Sequence, residues 1–126
     1  MKPGALSRWL PVVLYAVLIF VGSSVPGTSI DARLSLHDKI IHATEYAGFA
    51  FLLARAFGVR RWWLAILVGA LYGVSDEFHQ TFTPHRSGND LGDMTADLVG
   101  STIGATVWRL LRRPLQRRSR DGTKSG

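Results

Sequence analysis

The sequence has no cysteine among its 126 residues, which excludes disulfides and thiolate metal sites. Acidic residues are also scarce, nine against fifteen lysines and arginines, and the formal net charge is +6. Long apolar runs without acidic or basic side chains are equally rare, because only the first of four hydrophobic blocks is free of them. The short length leaves no room for a second catalytic domain.

Four hydrophobic blocks nevertheless occupy most of the chain, at residues 9–25, 40–58, 62–78 and 94–111. Each is close to the ~17–25 residues that a membrane-spanning helix needs. The pattern predicts an all-α integral membrane bundle of four transmembrane helices, forming one domain over residues 1–111. The mean hydropathy of +0.14 is low because strongly charged connectors separate the apolar blocks.

The basic residues predict how the chain crosses the membrane. Twelve of the fifteen precede the first block, lie around the second connector, or lie at the end of the last block and beyond it. The positive-inside rule then places both termini in the cytoplasm (N-in/C-in), as in a multi-pass protein of the bacterial inner membrane. Cleavage of the first block as a signal peptide would leave an odd number of spans, in conflict with a cytoplasmic Arg-rich tail, so we expect a retained span.

The C-terminal segment, residues 112–126, is basic and contains few apolar side chains. Such a composition cannot bury a core, so we expect a disordered cytoplasmic tail near the lipid surface. The lipid bilayer is therefore the expected partner of this segment. We do not expect it to bind nucleic acid.

Acidic residues and histidines have the opposite distribution to the cations. Eight of the nine acids and all four histidines fall in the external halves of the predicted topology. Positions three and four apart share a helix face. Two such faces combine carboxylates with small residues, and they are Gly69/Gly73/Asp76/Gln80 and Asp93/Asp97/Gly100/Gly104. Because small residues let helix backbones approach closely, we expect the acids to meet at the external end of the bundle.

Ionisable groups inside membrane helices disfavour insertion by ~2.5–3.5 kcal/mol and therefore mark function by default. We take the polar residues at or near the external ends of these helices as ligand-binding candidates. They are Asp38, His42, Tyr46, Asp76, Glu77, Gln80, Arg86, Asp93 and Asp97. Arg86 follows the third block in a turn-rich connector. Its planar guanidinium suits either a helix carboxylate or an anionic head group, and the sequence leaves both open.

Two segments resemble a known family. The first is His37-Asp38-Lys39-Ile40-Ile41-His42 with Tyr46, and the second is Asp76-Glu77-x-x-Gln80-x-Phe82-x-Pro84-x-Arg86, continuing to Asp93, Gly100 and Gly104. Over residues 10–111 the chain resembles the VanZ-like family of small bacterial membrane proteins. That family is named for a protein associated with low-level resistance to the glycopeptide teicoplanin. The resemblance thus implies a role in the cell envelope, but most members have no assigned biochemical activity.

Several functions remain open. The leading hypothesis is a non-catalytic protein whose external cluster binds a lipid head group, a cell-wall precursor or a glycopeptide-like amphiphile. Ion transport is less favoured, because transporter sites lie near the membrane midplane and no internal repeat is visible. A third alternative is a purely structural knot, in which these polar side chains hydrogen-bond to one another and only hold the helices together.

The second hypothesis is a metal-dependent enzyme acting on lipid-linked phosphate. Oxygen and nitrogen donors at helical spacing suit a divalent cation, and the candidates are His42, Glu45, Glu77, His79, Asp93 and Asp97. No catalytic residue is assigned, and whether the protein is an enzyme stays undecided. The Gly69/Gly73 or Gly100/Gly104 faces would also suit contacts between chains of a homo-oligomer.

Overall fold

A computed structural model describes residues 3–24, 35–84 and 91–124 of the chain. These residues form four helices and no strand: α1 (Ala5–Ser24), α2 (Ser35–Phe57), α3 (Leu64–Gln80) and α4 (Leu91–Lys124). The all-α prediction is confirmed for this part of the chain. Arg86 and the connectors at 25–34 and 85–90 lie outside the described residues.

The tightest packing is between α2 and α4, because glycines of α4 let the two helix backbones approach closely. A Cβ atom added to Gly100 would come within 2.8 Å of the Cα atom of Ala43, and one added to Gly104 would come equally close to that of Ala47. The helix backbones are therefore in direct contact, as small residues at helical spacing permit.

The glycines of α3 also pack against α4. A Cβ added to Gly73 would lie 2.8 Å from the Cβ of Asp97, and one added to Gly69 would lie 3.0 Å from that of Ser101. Both predicted stripes are thus buried packing faces. The glycine faces that we considered for contacts between chains are occupied by helices of the same chain.

Helix α1 is attached to the bundle by two tyrosine hydroxyls. Tyr15 of α1 donates to the backbone oxygen of Glu45 on α2 at 2.8 Å, and Tyr72 of α3 donates to that of Ala16 at 2.6 Å. The aromatic ring of Phe49 packs between these tyrosines, 6.0 Å from Tyr15 and 5.1 Å from Tyr72. These contacts fix α1 against α2 and α3.

In the described part of the chain, only α1 is both long enough and apolar enough to cross a membrane by composition. Helix α3 has 17 residues, and α2 and α4 contain several charged side chains. The four-span arrangement and its orientation therefore remain predictions.

The last helix is longer than we predicted. It begins at Leu91 and continues to Lys124, whereas we expected disorder over 112–126. The segment extends a helix that is already packed, so no new nucleus is needed, and arginine and leucine are good helix formers. Arg112 also stacks over the ring of Trp108, 5.8 Å from its centroid. The side chains described between residues 112 and 122 are exposed, and the helix forms without burying them.

Candidate functional site

Buried polar side chains gather at one end of the bundle, where α1 and α3 end and α2 and α4 begin. We call this the acidic end. The polar cluster there consists of Ser23 on α1, His42 on α2, Asp76, Glu77 and Gln80 on α3, and Asp93 and Asp97 on α4, all of them buried. Successive helices run in opposite directions, so chain order brings these segments together.

His42 is the centre of the contacts between α2 and α4. Its Nδ1 lies 3.0 Å from Oδ1 of Asp97, and its Nε2 lies 3.9 Å from Oδ2 of Asp93. The Nζ of Lys39, one turn earlier on α2, donates to Oδ1 of Asp93 at 3.0 Å. Two carboxylates of α4 therefore face a cation and an imidazole of α2. Our sequence analysis did not select Lys39, although its spacing of three from His42 placed it on the same face.

Asp76 belongs to a second group of contacts, between α3 and α1. Ser23 donates to Oδ1 of Asp76, and Nε2 of Gln80 lies 3.3 Å from Oδ2 of the same carboxylate. Thr83 donates to the backbone oxygen of Ser23 at 3.2 Å. Ser23 was not among the candidates that our sequence analysis selected. A serine at the polar end of an apolar helix was the available clue.

Three buried oxygen atoms beside these contacts have no hydrogen-bond partner among the described residues. They are Oδ2 of Asp97, the hydroxyl of Tyr46 and the hydroxyl of Ser101, and each side chain is 0% exposed. Tyr46 lies one turn beyond His42 on α2, and its hydroxyl interacts electrostatically with Asp76 and Asp97. Buried polar groups normally have hydrogen-bond partners, so three such oxygens in one region mark it as a candidate binding site.

Two sets of side chains have a geometry that would suit a metal ion. Ligand atoms of His42, Glu77 and Asp97 lie within 4.8 Å of one another, and so do those of Asp38, His42 and Asp93. Both sets depend on His42. Imidazole and carboxylate donors together suit zinc or manganese, and the carboxylates alone suit magnesium.

Two predicted metal candidates lie apart from these sets. Nε2 of His79 lies 3.0 Å from the Ser24 hydroxyl, and its ring stacks on Phe20 with the centroids 4.5 Å apart. Glu45 is half-buried, and its backbone oxygen accepts the hydrogen bond from Tyr15. Neither belongs to a set of metal donors in the described part of the chain.

Comparison with known proteins identifies the family. A family model described as VanZ/LLP1 matches residues 8–112. The chain belongs to the VanZ/LLP1 family. The match includes α1 from Arg8 onward, all of α2 and α3, and α4 as far as Arg112, and hence every member of the polar cluster. The resemblance seen in the sequence is thereby confirmed.

No curated protein and no solved structure matches the chain. VanZ/LLP1 membership by itself supplies neither an activity nor a ligand. The chemistry of this VanZ/LLP1 protein therefore has to be inferred from its own buried side chains.

Proposed function

We propose that this VanZ/LLP1 protein spans the bacterial inner membrane four times and binds the polar head group of an amphiphile at its acidic end. The exposed surface of α3 supports the membrane arrangement. Leu67, Leu71, Val74 and Phe78 follow one face of that helix and are between 48% and 61% exposed. Such an apolar face is favourable in lipid and costly in water.

The charged side chains of α2, α3 and α4 support the same arrangement. Averaged hydropathy counts them against a membrane span, but His42, Asp76, Glu77, Asp93 and Asp97 are all buried inside the bundle. Polar groups in membrane helices normally face the bundle interior in this way. The helices are thus more apolar on their outer faces than their compositions indicate.

The cations support an orientation with the acidic end outside the cytoplasm. Arg8, Arg55, Arg60 and Arg61 lie at the opposite end of the bundle, which we call the basic end. A basic end on the cytoplasmic side agrees with the positive-inside rule. The polar cluster would then face the outer leaflet and the cell envelope.

The single observation that carries the binding proposal is the set of three unsatisfied buried oxygens on Tyr46, Asp97 and Ser101. A purely structural knot would satisfy its own hydrogen bonds, because an unmet buried polar group costs ~1–3 kcal/mol. All three oxygens can accept hydrogen bonds. The two hydroxyls can also donate, whereas the carboxylate oxygen of Asp97 can only accept when ionised. A ligand with ammonium or hydroxyl groups, such as a lipid head group, a cell-wall precursor or a glycopeptide, would fit all three.

The test is binding of defined amphiphiles to the purified full-length chain in uncharged detergent. Phosphatidylethanolamine, a lipid-linked cell-wall precursor and teicoplanin each present amine or hydroxyl donors. We expect at least one to bind saturably, and replacing Tyr46 by Phe or Asp97 by Asn to weaken that binding. The control is Tyr72→Phe, because the Tyr72 hydroxyl already has an acceptor in Ala16. Binding that neither the Tyr46 nor the Asp97 substitution weakens would refute the proposal.

A metal-dependent enzyme acting on lipid-linked phosphate is the second candidate. The donor set of His42, Glu77 and Asp97 favours it, since these three residues come from three different helices. Zinc ligands at ~2.0–2.2 Å from the ion lie about 3.3 Å apart, and Nδ1 of His42 and Oδ1 of Asp97 are already 3.0 Å apart. Elemental analysis of the purified protein decides this candidate. One ion per chain, lost in a His42→Gln variant, would support it, and an ion content below stoichiometry would exclude it.

A further inference from the structure

A second feature of the bundle lies at the basic end, away from the polar cluster. A cavity of about 810 Å³ opens there between the start of α1, the end of α2 and the second half of α4. Its lining includes five arginines and, among the described residues, no carboxylate; the arginines are Arg8, Arg55, Arg60, Arg61 and Arg112. Pockets that hold small ligands have volumes of about 300–1,000 Å³, so this cavity is large enough for one.

The turn after α2 places two of these arginines. Gly58 adopts a φ of 83°, and its amide donates to the backbone oxygen of Ala54 at 2.9 Å. This is the left-handed glycine that commonly ends a helix. The amide of Arg61 then donates to the backbone oxygen of Gly58 at 3.1 Å, so Arg60 and Arg61 follow the turn directly. A tight, hydrogen-bonded turn thus positions both side chains at the rim of the cavity.

The positive charge of the cavity is not neutralised by the part of the chain that the structure describes. Arg55 donates to the neutral backbone oxygen of Ser7 at 3.3 Å, and Arg112 stacks on Trp108. The Nε of Arg8 is buried and has no hydrogen-bond partner among the described residues. Five like charges around one cavity repel one another unless an anion joins them.

We infer that this cavity binds a phosphate group carried by an anionic lipid head group or by a soluble phosphate ester. Guanidinium groups match phosphate oxygens in paired hydrogen bonds, and basic pockets at the cytoplasmic side of membrane helices suit anionic head groups. The inference concerns the opposite end of the bundle from the proposed head-group site. The two sites are tested separately, so failure to bind a ligand at one end does not count against binding at the other.

The experiment uses the full-length chain in maltoside micelles, which contain no phosphate. Calorimetry measures binding of short-chain phosphatidylglycerol, of glycerol 3-phosphate and of a diacylglycerol with the same acyl chains. We expect saturable binding of one phosphate-bearing ligand per chain and no comparable binding of the diacylglycerol. Arg60→Gln and Arg61→Gln should each weaken binding about tenfold, because each removes a charge-assisted hydrogen bond.

The matched control is Arg113→Gln, which removes the same charge from an exposed position of α4 that does not line the cavity. Arg60 and Arg61 are exposed as well, so their replacement should leave the helical circular dichroism unchanged. If either glutamine variant fails to fold, the lysine variant replaces it. Lysine keeps the charge but lacks the planar fork, and weaker binding is again expected.

Comparing the ligands shows whether the bound phosphate group belongs to a lipid or to a soluble ester. Binding of phosphatidylglycerol alone identifies a lipid head group, and equal binding of glycerol 3-phosphate identifies a soluble ester; both outcomes support the inference. It is overturned if neither phosphate compound binds or if the diacylglycerol binds as well. It is also overturned if Arg113→Gln weakens binding as much as Arg60→Gln, because the attraction would then be diffuse charge rather than a site.

Discussion

His42 and Asp97 form a polar contact between α2 and α4, with Nδ1 and Oδ1 3.0 Å apart and both side chains buried. The contact joins residues that are 55 positions apart in the chain. It is one of the contacts that set the rotation of α2 against α4 at the level of the polar cluster. The contribution of this contact to the free energy of unfolding can be measured, and so can the contributions of other contacts between the helices.

A double-mutant cycle on His42 and Asp97 tests this contact. Replacing His42 by Gln or Asp97 by Asn should each lower the free energy of unfolding, because each leaves a buried partner unpaired. The double variant should lose less than the sum of the two, with a coupling energy of about 0.5–3 kcal/mol. The measurement is the free energy of unfolding in mixed micelles, for the unmodified protein, the two single variants and the double variant. The control is His79→Gln with Ser24→Ala, an exposed pair expected to couple weakly. Strictly additive effects at His42 and Asp97 would show that they do not interact.

The glycine contacts predict a position-dependent effect of one methyl group. Gly104→Ala should destabilise the protein by about 1–3 kcal/mol, because the new Cβ would overlap the backbone of Ala47. Gly22→Ala is the matched control, since nothing lies within 4 Å of a Cβ there. The melting temperature in detergent measures both variants. Equal melting temperatures for the two would contradict the close packing of α2 and α4.

Two Tyr→Phe substitutions should differ in their effect on stability. Tyr46→Phe removes a buried hydroxyl without a partner in the described residues, so the ligand-free protein should be unchanged or more stable. Tyr72→Phe removes the hydrogen bond to Ala16 and should cost about 1 kcal/mol. Denaturant unfolding of both variants without added ligand is the measurement. A large loss of stability in Tyr46→Phe would instead indicate a structural role for that hydroxyl.

The absence of cysteine makes the proposed orientation directly measurable by labelling. A single cysteine at exposed Thr81 reports on the acidic end, and one at exposed Arg60 reports on the basic end. An impermeant maleimide added to intact spheroplasts should label Thr81→Cys and should label Arg60→Cys only after lysis. The reverse pattern would place the polar cluster in the cytoplasm. Labelling of both before lysis would argue against a membrane-spanning bundle.

The sequence determined the features that follow from local periodicity and chain order. Helical spacing put Gly69, Gly73, Asp76 and Gln80 on one face, and the structure buries all four. Alternating helix direction then placed the acids of α2, α3 and α4 at a common end. The two family segments were sufficient to recognise VanZ-like membership, which comparison with known proteins confirmed.

Only the tertiary structure decided which polar group contacts which. That Asp97 faces His42, that Asp93 faces Lys39 and that Asp76 faces Ser23 depends on the rotation and axial shift of separate helices. A sequence specifies the face of each helix but not these rigid-body parameters, because many side-chain contacts along the whole interface set them together. The helical course of α4 to Lys124 depended in the same way on a packed helix that it could extend.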